Sequence, residues 1–599
     1  MIVTATTDPR SEYTTRIARW NAAVARGERR HQIVANLRLL TAALFVLAAW
    51  LGLSRDALSP GWMLVPAAGF FALVVVHARI LYRNERAVRA RRLYERGIER
   101  LDGQWARSGP DGVRFLDGHP YARDLDLFGP RSLFQMINVG KTEAGEETLA
   151  GWLKHPAAPD EIRARQGAVA ELAPQIDFRE TLAVVAAEAH VGRTSAIDRW
   201  ASLRPVGLPP WVGALFFVCG AVTATLIVAA LFGRVASSVA LAWLFVQGAV
   251  FYRFRTRIAE TIRRIDAASD DLALVREVME TIERATFTAP WLVRIHARLM
   301  ADGQPPSRRI ARLQTFVSIL NQYQHNPYFR FVGLPLLVGG QVAVAIDCWH
   351  AAHGRHLTGW LQAVGELEAM SSLATHAFEH PADPFPLLMA SGARFEAEGL
   401  AHPLLPDAAA VRNDLRLGGG APHVCLVSGS NMSGKSTLLR AAGVNTVLAL
   451  AGAPVRATRL TLSPLAIGAT LRVDDSLQDG YSRFYSEILR IRAIVEEARG
   501  PIPVLFLLDE ILHGTNSHDR RKGAEAIVRA LVASGAIGLA TTHDLALTEI
   551  AGALGAQAAN VHFEDKVVDR QIVFDYRLRP GVVQHSNALA LMRAIGLEV

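Results

Sequence analysis

The sequence predicts a multidomain chain with an all-α region, an α/β domain at its C-terminus and two helical hairpins that are apolar enough to cross a membrane. Three observations support this fold class. The 599 residues exceed what a single hydrophobic core normally holds, so several domains are expected. Uncharged apolar stretches occur in two closely spaced pairs. After residue 420, short apolar runs alternate with helical segments, which is typical of an α/β sheet.

The composition narrows the classes of partner and compartment. Hydrophobic residues make up 50% of the chain and the mean hydropathy is +0.18, which is high for a soluble protein. The net charge of +8 favours an anionic partner, and both nucleic acid and anionic lipid fit it. Cys219, Cys348 and Cys425 lie far apart, without the spacing of a zinc site or a disulfide framework, so a reducing cytoplasm is expected.

The apolar excess is concentrated in four stretches, which predict four spans in two hairpins, residues 37–82 and 208–252. A helix needs about 20 residues to cross a hydrocarbon core of about 30 Å. The first stretch covers only about 22 Å at 1.5 Å per residue, so its helix must extend to residue 33 and Arg38 must snorkel. A buried soluble helix is the alternative. The stretches are Leu39–Leu53, Ala57–Val76, Leu208–Gly233 and Val235–Tyr252.

Arginines flank each hairpin, whereas the turns inside the hairpins carry only Arg55 with Asp56, or Arg234. The positive-inside rule then places both termini and every large segment in the cytoplasm of a multi-pass inner-membrane protein. A further apolar run, Phe331–Ile346, is broken by glycines and Pro335. It is interpreted as a buried core element, because a fifth span would put the C-terminal domain on the other side. The flanking arginines include Arg26, Arg29, Arg30, Arg38, Arg79, Arg83, Arg86, Arg89, Arg91, Arg92, Arg253, Arg255, Arg257, Arg263 and Arg264.

The strongest motif, Gly429 to Ser436, fits GxxxxGK[ST] between a short apolar strand, Val424–Val427, and a helix, Ser436–Leu450. Glycines let backbone N–H groups turn towards a phosphate, and the helix N-terminus adds positive potential. The alternative is a glycine-rich turn without a ligand. We expect Lys435 to reach the β- and γ-phosphates and Ser436 or Thr437 to help hold Mg²⁺. The predicted nucleotide-binding residues are Gly429, Ser430, Asn431, Met432, Ser433, Gly434, Lys435, Ser436 and Thr437.

A second strand pattern, Val504–Leu508, ends in Asp509 and Glu510. Carboxylates at a strand end beside such a loop suit metal chemistry, so Asp509 is expected to orient Mg²⁺ and Glu510 to act as the general base. His543 follows a third strand, where a histidine can contact the γ-phosphate. A single histidine is usually structural, and only its place in this series makes His543 a candidate.

The motifs together resemble the MutS family of DNA mismatch-repair proteins. GSNMSGKSTLLR is similar to its P-loop, and the segment 475–487 resembles its signature segment, in which Ser482 would face the partner subunit's nucleotide. Residues 509–519 resemble its Walker B and D-loop, with Asn516 and Asp519, and Thr542–His543 its histidine switch. The resemblance implies ATP and Mg²⁺ as cofactors and a homodimer joined head to tail through the ATPase domains. Weaker matches cover roughly residues 116–200 and 360–597.

This resemblance gives a domain organisation. It comprises a basic N-terminal arm (1–36), hairpin 1 (37–82), a cytoplasmic helical region with the first part of a MutS-like core (83–207), hairpin 2 (208–252), a helical core and lever region (253–400) and the ATPase domain (401–599). The family's Phe-x-Glu mismatch-reading element does not appear at the N-terminus, where the basic arm and hairpin 1 stand instead.

The resemblance implies a membrane-anchored ATPase that binds DNA, with a role in mismatch repair expected from the family. One alternative is an ATP-driven switch that acts on a membrane or protein partner without reading mismatches. An ABC-type transporter is a further alternative, which is disfavoured because the chain has no LSGGQ motif and its apolar stretches carry no internal ionisable residue.

Overall fold

The chain is helical as far as Glu379 and carries two β-sheets after residue 386. The computed structural model describes residues 8–53, 59–187, 194–266, 268, 272–300, 303–430, 432–472, 483–513, 515–543, 545–568 and 571–583. Several helices begin with proline in their first turn, where the missing N–H leaves no hydrogen bond unmade.

Fourteen α-helices precede the sheets in the described residues. They are α1 (Pro9–Leu53), α2 (Leu64–Leu101), α3 (Leu133–Ile137), α4 (Glu143–Lys154), α5 (Pro159–Leu172), α6 (Ile176–Ala186), α7 (Thr194–Ser202), α8 (Pro210–Leu231), α9 (Ser237–Asp266), α10 (Leu272–Arg284), α11 (Pro290–Met300), α12 (Pro306–His325), α13 (Pro327–Gly333) and α14 (Val338–Glu379). Four more lie among the strands: α15 (Lys435–Ala451), α16 (Arg483–Glu497), α17 (Ser517–Ala533) and α18 (Glu549–Leu554).

Helices α1 and α2 form a long antiparallel pair. At 1.5 Å per residue, their 45 and 38 residues span about 68 and 57 Å. The His31 and His77 rings lie 4.8 Å apart, and the Arg38 guanidinium lies 5.3 Å from the centre of the Phe70 ring. The predicted apolar stretches are therefore only the distal parts of these helices, and the arginine-rich parts continue the same pair towards the rest of the molecule.

Among the described residues, four helices are long and apolar enough to cross a membrane, as judged by length and composition. They are α1, the continuous helical stretch Gly61–Leu101, α8 and α9, and between 6% and 22% of each apolar window is buried inside the protein. This confirms that apolar helices occur in two pairs, as the sequence predicted. Membrane crossing itself stays a prediction.

The interpretation of Phe331–Ile346 as a buried core element is wrong for its first part. Helices α13 and α14 meet at a bend of 87°, and the side chains before the bend are exposed, with Phe331 at 83% and Leu334 at 60%. Beyond the bend, Val342 to Ile346 pack inside the protein. The glycines and Pro335 mark a break in the helix, because proline has no N–H group to donate to the helical hydrogen-bond pattern.

The strands form two sheets. They are β1 (Leu387–Leu388), β2 (Arg394–Leu400), β3 (Asn413–Gly418), β4 (Val424–Ser428), β5 (Arg459–Leu462), β6 (Ala466–Thr470), β7 (Val504–Leu508), β8 (Ile537–Thr542), β9 (Ala558–Val568) and β10 (Gln571–Pro580). The smaller sheet has the order β1-β5-β2-β3, so its strands begin before residue 401. The larger has the order β10-β9-β4-β8-β7-β6 and is parallel except for β10. Its central strands β4, β7 and β8 are fully buried, as apolar parallel strands require.

One hydrophobic core joins the helices to the sheets. Helix α14 packs against α4, α5, α8 and α12, and α15 packs against α4 and α5. The buried Asp124 carboxylate, from the segment before α3, accepts hydrogen bonds from the backbone N–H groups of Leu471 and Arg472 and pairs with Arg490. The helical region therefore contacts both Arg472 and α16.

Candidate functional site

The loop between β4 and α15 adopts backbone conformations that favour glycine. The φ angles of Gly429 and Gly434 are +150° and +106°, so both glycines of the GxxxxGK[ST] pattern lie in the region that side chains rarely adopt. Met432, which is not a glycine, has a φ of +68° and an 85% exposed side chain. Such strain in a non-glycine residue persists only where surrounding structure imposes it, and it concentrates at ligand-binding loops.

Lys435 occupies the first position of α15 and lies beneath this loop. Its side chain is buried, and Nζ donates hydrogen bonds to the carbonyl oxygens of Gly429, at 2.8 Å, and Ser430, at 2.7 Å. Burial lowers the pKa of Lys435, while the neighbouring carboxylates of Glu510 and Asp509 act in the opposite direction. The ammonium group is therefore held in place by loop carbonyls and faces two acids.

The loop fits an anionic tetrahedral group. The first N–H groups of any helix lack intrahelical partners, and α15 begins directly after this loop, with Gly434 as an N-cap that offers no side-chain hydrogen bond. The Ser430 and Ser433 hydroxyl oxygens are buried without a hydrogen-bond partner in the described part of the chain. A Cβ atom at Gly429 would lie 2.8 Å from Ser433 Oγ, so a larger residue would close the space beside that hydroxyl. Unmet donors around a concave loop are what a phosphate recognises.

Asp509 and Glu510 lie at the carboxyl end of β7, next to the end of β8. Because β7 and β8 are parallel neighbours, Thr541 meets both acids: its hydroxyl donates to Asp509 Oδ1 and accepts from the Glu510 N–H at 3.0 Å. Glu510 has a φ of +51°, so its backbone is strained. The buried Glu487 carboxylate accepts from the Leu512 N–H at 2.6 Å and fixes the turn that follows.

His543 is within contact of Glu510. Its Nδ1 lies 3.2 Å from Glu510 Oε1, and His513 Nδ1 lies 3.9 Å from Glu510 Oε2. One ligand atom from each of the three residues falls within 4.8 Å of the others, a set that could hold a metal ion. Two imidazoles suit zinc better than magnesium, which prefers oxygen ligands. The hydroxyl of Ser436 and the carboxylate of Asp509 are the better match for Mg²⁺.

A cleft of 630 Å³ brings the loop and the acid together. Its lining includes the predicted residues Met432, Gly434, Lys435, Ser436, Thr437 and Glu510. The same loop also contains Gly429, Ser430 and Ser433. The charge of Asp509 acts to raise the pKa of Lys435. The structure therefore gathers the two motifs, which are separated by 73 residues of sequence between Lys435 and Asp509, around one space.

Sequence reasoning assigned no role to three residues that line the same cleft: His402, Asn413 and Tyr576. The Asn413 side chain donates to the Tyr576 carbonyl at 3.0 Å and accepts from the Leu578 N–H at 2.7 Å. This places Tyr576, at a φ of +53°, in the irregular part of β10. Burial lowers the pKa of His402 to about 4, and its Nδ1 accepts from the Leu404 N–H.

The remaining predicted residues are not part of this cleft. Asn516 caps α17 by accepting from the Asp519 N–H at 2.9 Å, and its side-chain amide donates to the Asp519 carboxylate at 2.8 Å. In one subunit these two residues therefore stabilise a helix start. Asn431 and the trans-acting candidate Ser482 lie outside the described residues.

The part of the chain that carries this cleft is similar to known proteins. Residues 425–598 match MutS domain V. The endonuclease MutS2 of Thermus thermophilus is 35% identical over 210 residues, which are 35% of this chain and 27% of that protein. The DNA mismatch repair protein MutS of Natronomonas pharaonis is 32% identical over 241 residues, 39% of this chain and 27% of that protein. The DNA mismatch repair protein MSH3 of Phaeosphaeria nodorum is 29% identical over 250 residues, 41% of this chain and 22% of that protein.

The chain thus spans about a quarter of the length of the curated relatives it matches. The MutS domain V match covers the larger sheet and contains all the predicted site residues. The match leaves out both apolar hairpins and the helical region, for which the weaker upstream resemblance stays a prediction.

Proposed function

We propose that this protein is a membrane-anchored ATPase whose MutS domain V binds ATP with Mg²⁺ and hydrolyses it. The observation that carries the proposal is the single cleft in which the strained glycine loop, Lys435 and Glu510 meet. A transporter is not favoured, because the four apolar stretches of the sequence have no charged residue to mark a substrate path.

The predicted residues at the cleft have roles that follow from their positions. Lys435 and the first N–H groups of α15 bind the β- and γ-phosphates. Ser436 and Asp509 supply oxygen ligands for Mg²⁺, which neutralises charge on the phosphates when bound. Glu510 accepts a proton from the attacking water, and His543, at 3.2 Å, holds the Glu510 carboxylate and lies where it can contact the γ-phosphate. Thr541 fixes both acids to the end of β8.

A head-to-tail homodimer completes the proposed site. The Ser482 segment of one subunit would contact the nucleotide bound at the Lys435 loop of its partner, as the resemblance implies. Asp124 accepts from the Arg472 N–H and pairs with Arg490, so the helical region contacts the described chain both before and after this segment. Closure of the dimer would therefore be communicated to the helices.

The apolar helices are proposed to anchor the chain in the inner membrane with both termini in the cytoplasm. The bent segment α13–α14 enters the same layer without crossing it. Gly213, Phe216 and Gly220 of α8 face Val344, Gly340 and Leu336 of the opposing segment, so the bend reaches about 15 Å along α8, half its length. A re-entrant segment of this kind leaves the C-terminal domain in the cytoplasm, unlike a fifth span.

Polar side chains inside hairpin 2 support this proposal. Gln247, which is 3% exposed, donates to the Pro335 carbonyl at 2.7 Å and accepts from the Thr223 hydroxyl. Gln341 donates to the Leu336 carbonyl at 2.8 Å. Backbone groups freed by a helix break must be paired at membrane depth, because no water is present there. The exposed Tyr328, Phe331 and Val332 would then face lipid.

The first experiment tests hydrolysis in the full-length protein in detergent. Lys435→Ala should abolish ATP binding. Glu510→Gln should bind ATP and lose at least about a hundredfold in turnover, the usual contribution of a general base. Glu525→Gln, a substitution of a surface acid on α17, is the control and should retain turnover. Equal turnover in wild type and Glu510→Gln would refute the assignment of the base.

The second experiment tests the topology in intact cells, using a variant whose three natural cysteines are replaced by serine. Cysteines at residues 54 and 233 should react with an impermeant thiol reagent added outside, whereas cysteines at 86 and 264 should not. A cysteine at Phe331 should react only after detergent is added. The reverse pattern at 54 and 86 would refute the cytoplasmic placement.

DNA is the proposed partner, and a membrane or protein partner is the alternative. Phosphate contacts by Lys and Arg carry no sequence information, and without a Phe-x-Glu wedge at the N-terminus we expect matched and mismatched duplexes to bind within about tenfold. A binding series across salt concentrations, with and without ATP, tests this. A hundredfold preference for a G·T mismatch would contradict the expectation, and no binding at low salt would favour the alternative partner.

A further inference from the structure

A cleft of 780 Å³ lies where hairpin 1 meets the helical region, far along the chain from the nucleotide site. Helices α1 and α2 form two of its walls and α6 forms the third. Arg26 and Arg30 reach it from α1, and Arg79 and Arg83 reach it from α2. Because the two helices are antiparallel, with Gly27 packed on Asn84, these arginines converge from opposite directions along the pair.

The cleft has a surplus of positive charge. Within the described ranges, Arg26, Arg30, Arg79 and Arg83 make no ion pair with a carboxylate, and all four are exposed. Glu180 is the acidic residue of the lining, and it already accepts hydrogen bonds from Tyr94, Arg16 and Trp20. Uncompensated guanidinium groups facing one space repel each other unless an anion lies between them, and their planar donors match the oxygens of a phosphate.

Apolar side chains line the cleft beside these arginines. Val76 and Ile80 line it from α2, and Ala23 and Val184 line it from the other two walls. Val76 is also the last residue of the predicted second span. A ligand that fills the whole cleft must therefore combine an anionic head with a hydrocarbon part, and it must be available at the membrane surface. A nucleic-acid backbone satisfies only the first of these requirements.

We propose that this cleft binds an anionic phospholipid, with its phosphate between Arg30 and Arg83 and an acyl chain against Val76 and Ile80. The proposal rests on the proposed membrane anchoring of hairpin 1. Basic pockets at the cytoplasmic end of transmembrane helices are suited to such headgroups. Bound lipid would join α1, α2 and α6, and it would lie next to Glu180 and its contacts with Tyr94 and Arg16.

The test uses the full-length protein in mixed micelles of a neutral detergent. Dioleoylphosphatidylglycerol should raise the thermal unfolding midpoint in a saturable manner, and dioleoylphosphatidylcholine should raise it less. The double variant Arg30→Gln with Arg83→Gln should need about tenfold more dioleoylphosphatidylglycerol or more, since two charge contacts are lost. Arg29→Gln with Arg92→Gln removes the same charge from the same helices outside the cleft and should behave as wild type.

Several outcomes would overturn the proposal. Equal loss in both double variants would show diffuse surface charge instead of a site. An equal midpoint rise with inorganic phosphate at the same concentration would identify a site for free anions, and a rise with a 20-nucleotide single strand that depends on Arg30 and Arg83 would identify nucleic acid. ATP turnover is measured in the same samples. A failure of lipid binding in a protein that still hydrolyses ATP then counts against this proposal alone and not against the ATPase proposal. A protein that stays soluble without detergent and does not bind phosphatidylglycerol vesicles would refute the anchoring instead.

Discussion

The two hairpins are attached to the helical region by different kinds of contact. Hairpin 1 continues into the proximal parts of α1 and α2, and buried polar groups hold these parts: the Tyr13 hydroxyl donates to Glu379 Oε1 at 3.0 Å, and Arg100 pairs with the same carboxylate at 2.6 Å. Glu379 and Tyr13 are 5% and 3% exposed. Burial, together with the charge of Glu379, raises the pKa of Tyr13, so its hydroxyl stays a donor.

Hairpin 2 is held mainly by close apolar packing. Phe216 is fully buried against Phe251 and Phe254, and a Cβ atom at Gly340 would lie 2.8 Å from the Phe216 ring. At its base, the buried Asp347 carboxylate of α14 accepts from the N–H groups of Val206, Gly207 and Leu208, which lead into α8. Each hairpin thus has a buried carboxylate at its base, and in hairpin 2 apolar contacts continue beyond it. The comparison therefore predicts that hairpin 1 responds most to loss of a buried charge, whereas hairpin 2 also responds to added bulk.

The largest expected effect is at the buried charge of hairpin 1. Glu379→Ala leaves Arg100 buried without its partner, which should destabilise the protein by about 3–5 kcal/mol. Unfolding in detergent by urea measures it. The control, Glu366→Ala, removes a partner of the half-exposed Arg298 and should change stability by less than about 1 kcal/mol. Equal losses in the two variants would contradict the distinct role of the buried pair.

Bulk in hairpin 2 gives the next largest effect. A Cβ atom at Gly220 would lie 2.7 Å from the Leu336 carbonyl oxygen, whereas at Gly248 it would meet no atom within 4 Å. Gly220→Val should therefore cost about 1–3 kcal/mol through overpacking, and Gly248→Val should cost less. The two variants are compared by unfolding in the same detergent. The comparison between hairpins would fail if Gly248→Val were the more damaging change.

A smaller effect is expected from the hydrogen bonds inside hairpin 2. Gln247→Leu removes the donor to the Pro335 carbonyl and the acceptor for Thr223, and such bonds at membrane depth are worth about 0.6–2 kcal/mol. We expect increased protease cleavage near residue 335 together with this loss of stability. Gln341→Leu, which leaves the Pro335 contact intact, should not increase cleavage there to the same extent. An unchanged cleavage pattern in Gln247→Leu would remove the argument for a paired helix break.

The smallest effect tests whether every charge of hairpin 1 matters. Arg86 pairs with Glu277 of α10 at 2.6 Å, but both side chains are about one third exposed. Solvent screening limits such pairs to about 0–1 kcal/mol, so Arg86→Gln should shift stability little and less at high salt. A loss comparable to that of Glu379→Ala would mean that hairpin 1 depends on its surface charges as well.

Local motifs let the sequence predict the centre of the candidate site. The strand β4, the loop and α15 are contiguous, and Asp509 with Glu510 mark the end of a strand that can be recognised from its own residues. Tyr576 was missed because its place depends on Asn413, 163 residues earlier, and on the irregular register of β10. Periodicity carries no information on contacts at that separation.

The membrane-related elements show the same limit. Apolar content predicted the four apolar helices but not the length of α1 and α2, because their proximal halves are rich in arginine and lose the apolar signal. The segment Phe331–Ile346 was misinterpreted although its glycines and Pro335 were noted. The signal that would have corrected it was Gln247, a lone amide inside an apolar stretch, whose partner carbonyl lies 88 residues away.

Helix α14 is one continuous helix that connects the two hairpins. Its 42 residues make a rod of about 63 Å, in contact with hairpin 2 near one end and with Tyr13 and Arg100 of hairpin 1 at the other, just before the first strand. For a rod of that length, a tilt of about 5° displaces the far end by about 5 Å, close to one helical turn. A small rotation of the sheets, which leaves their own packing intact, would thus displace the bend at Pro335. That displacement would be large enough to change which side chains contact each other at the bend.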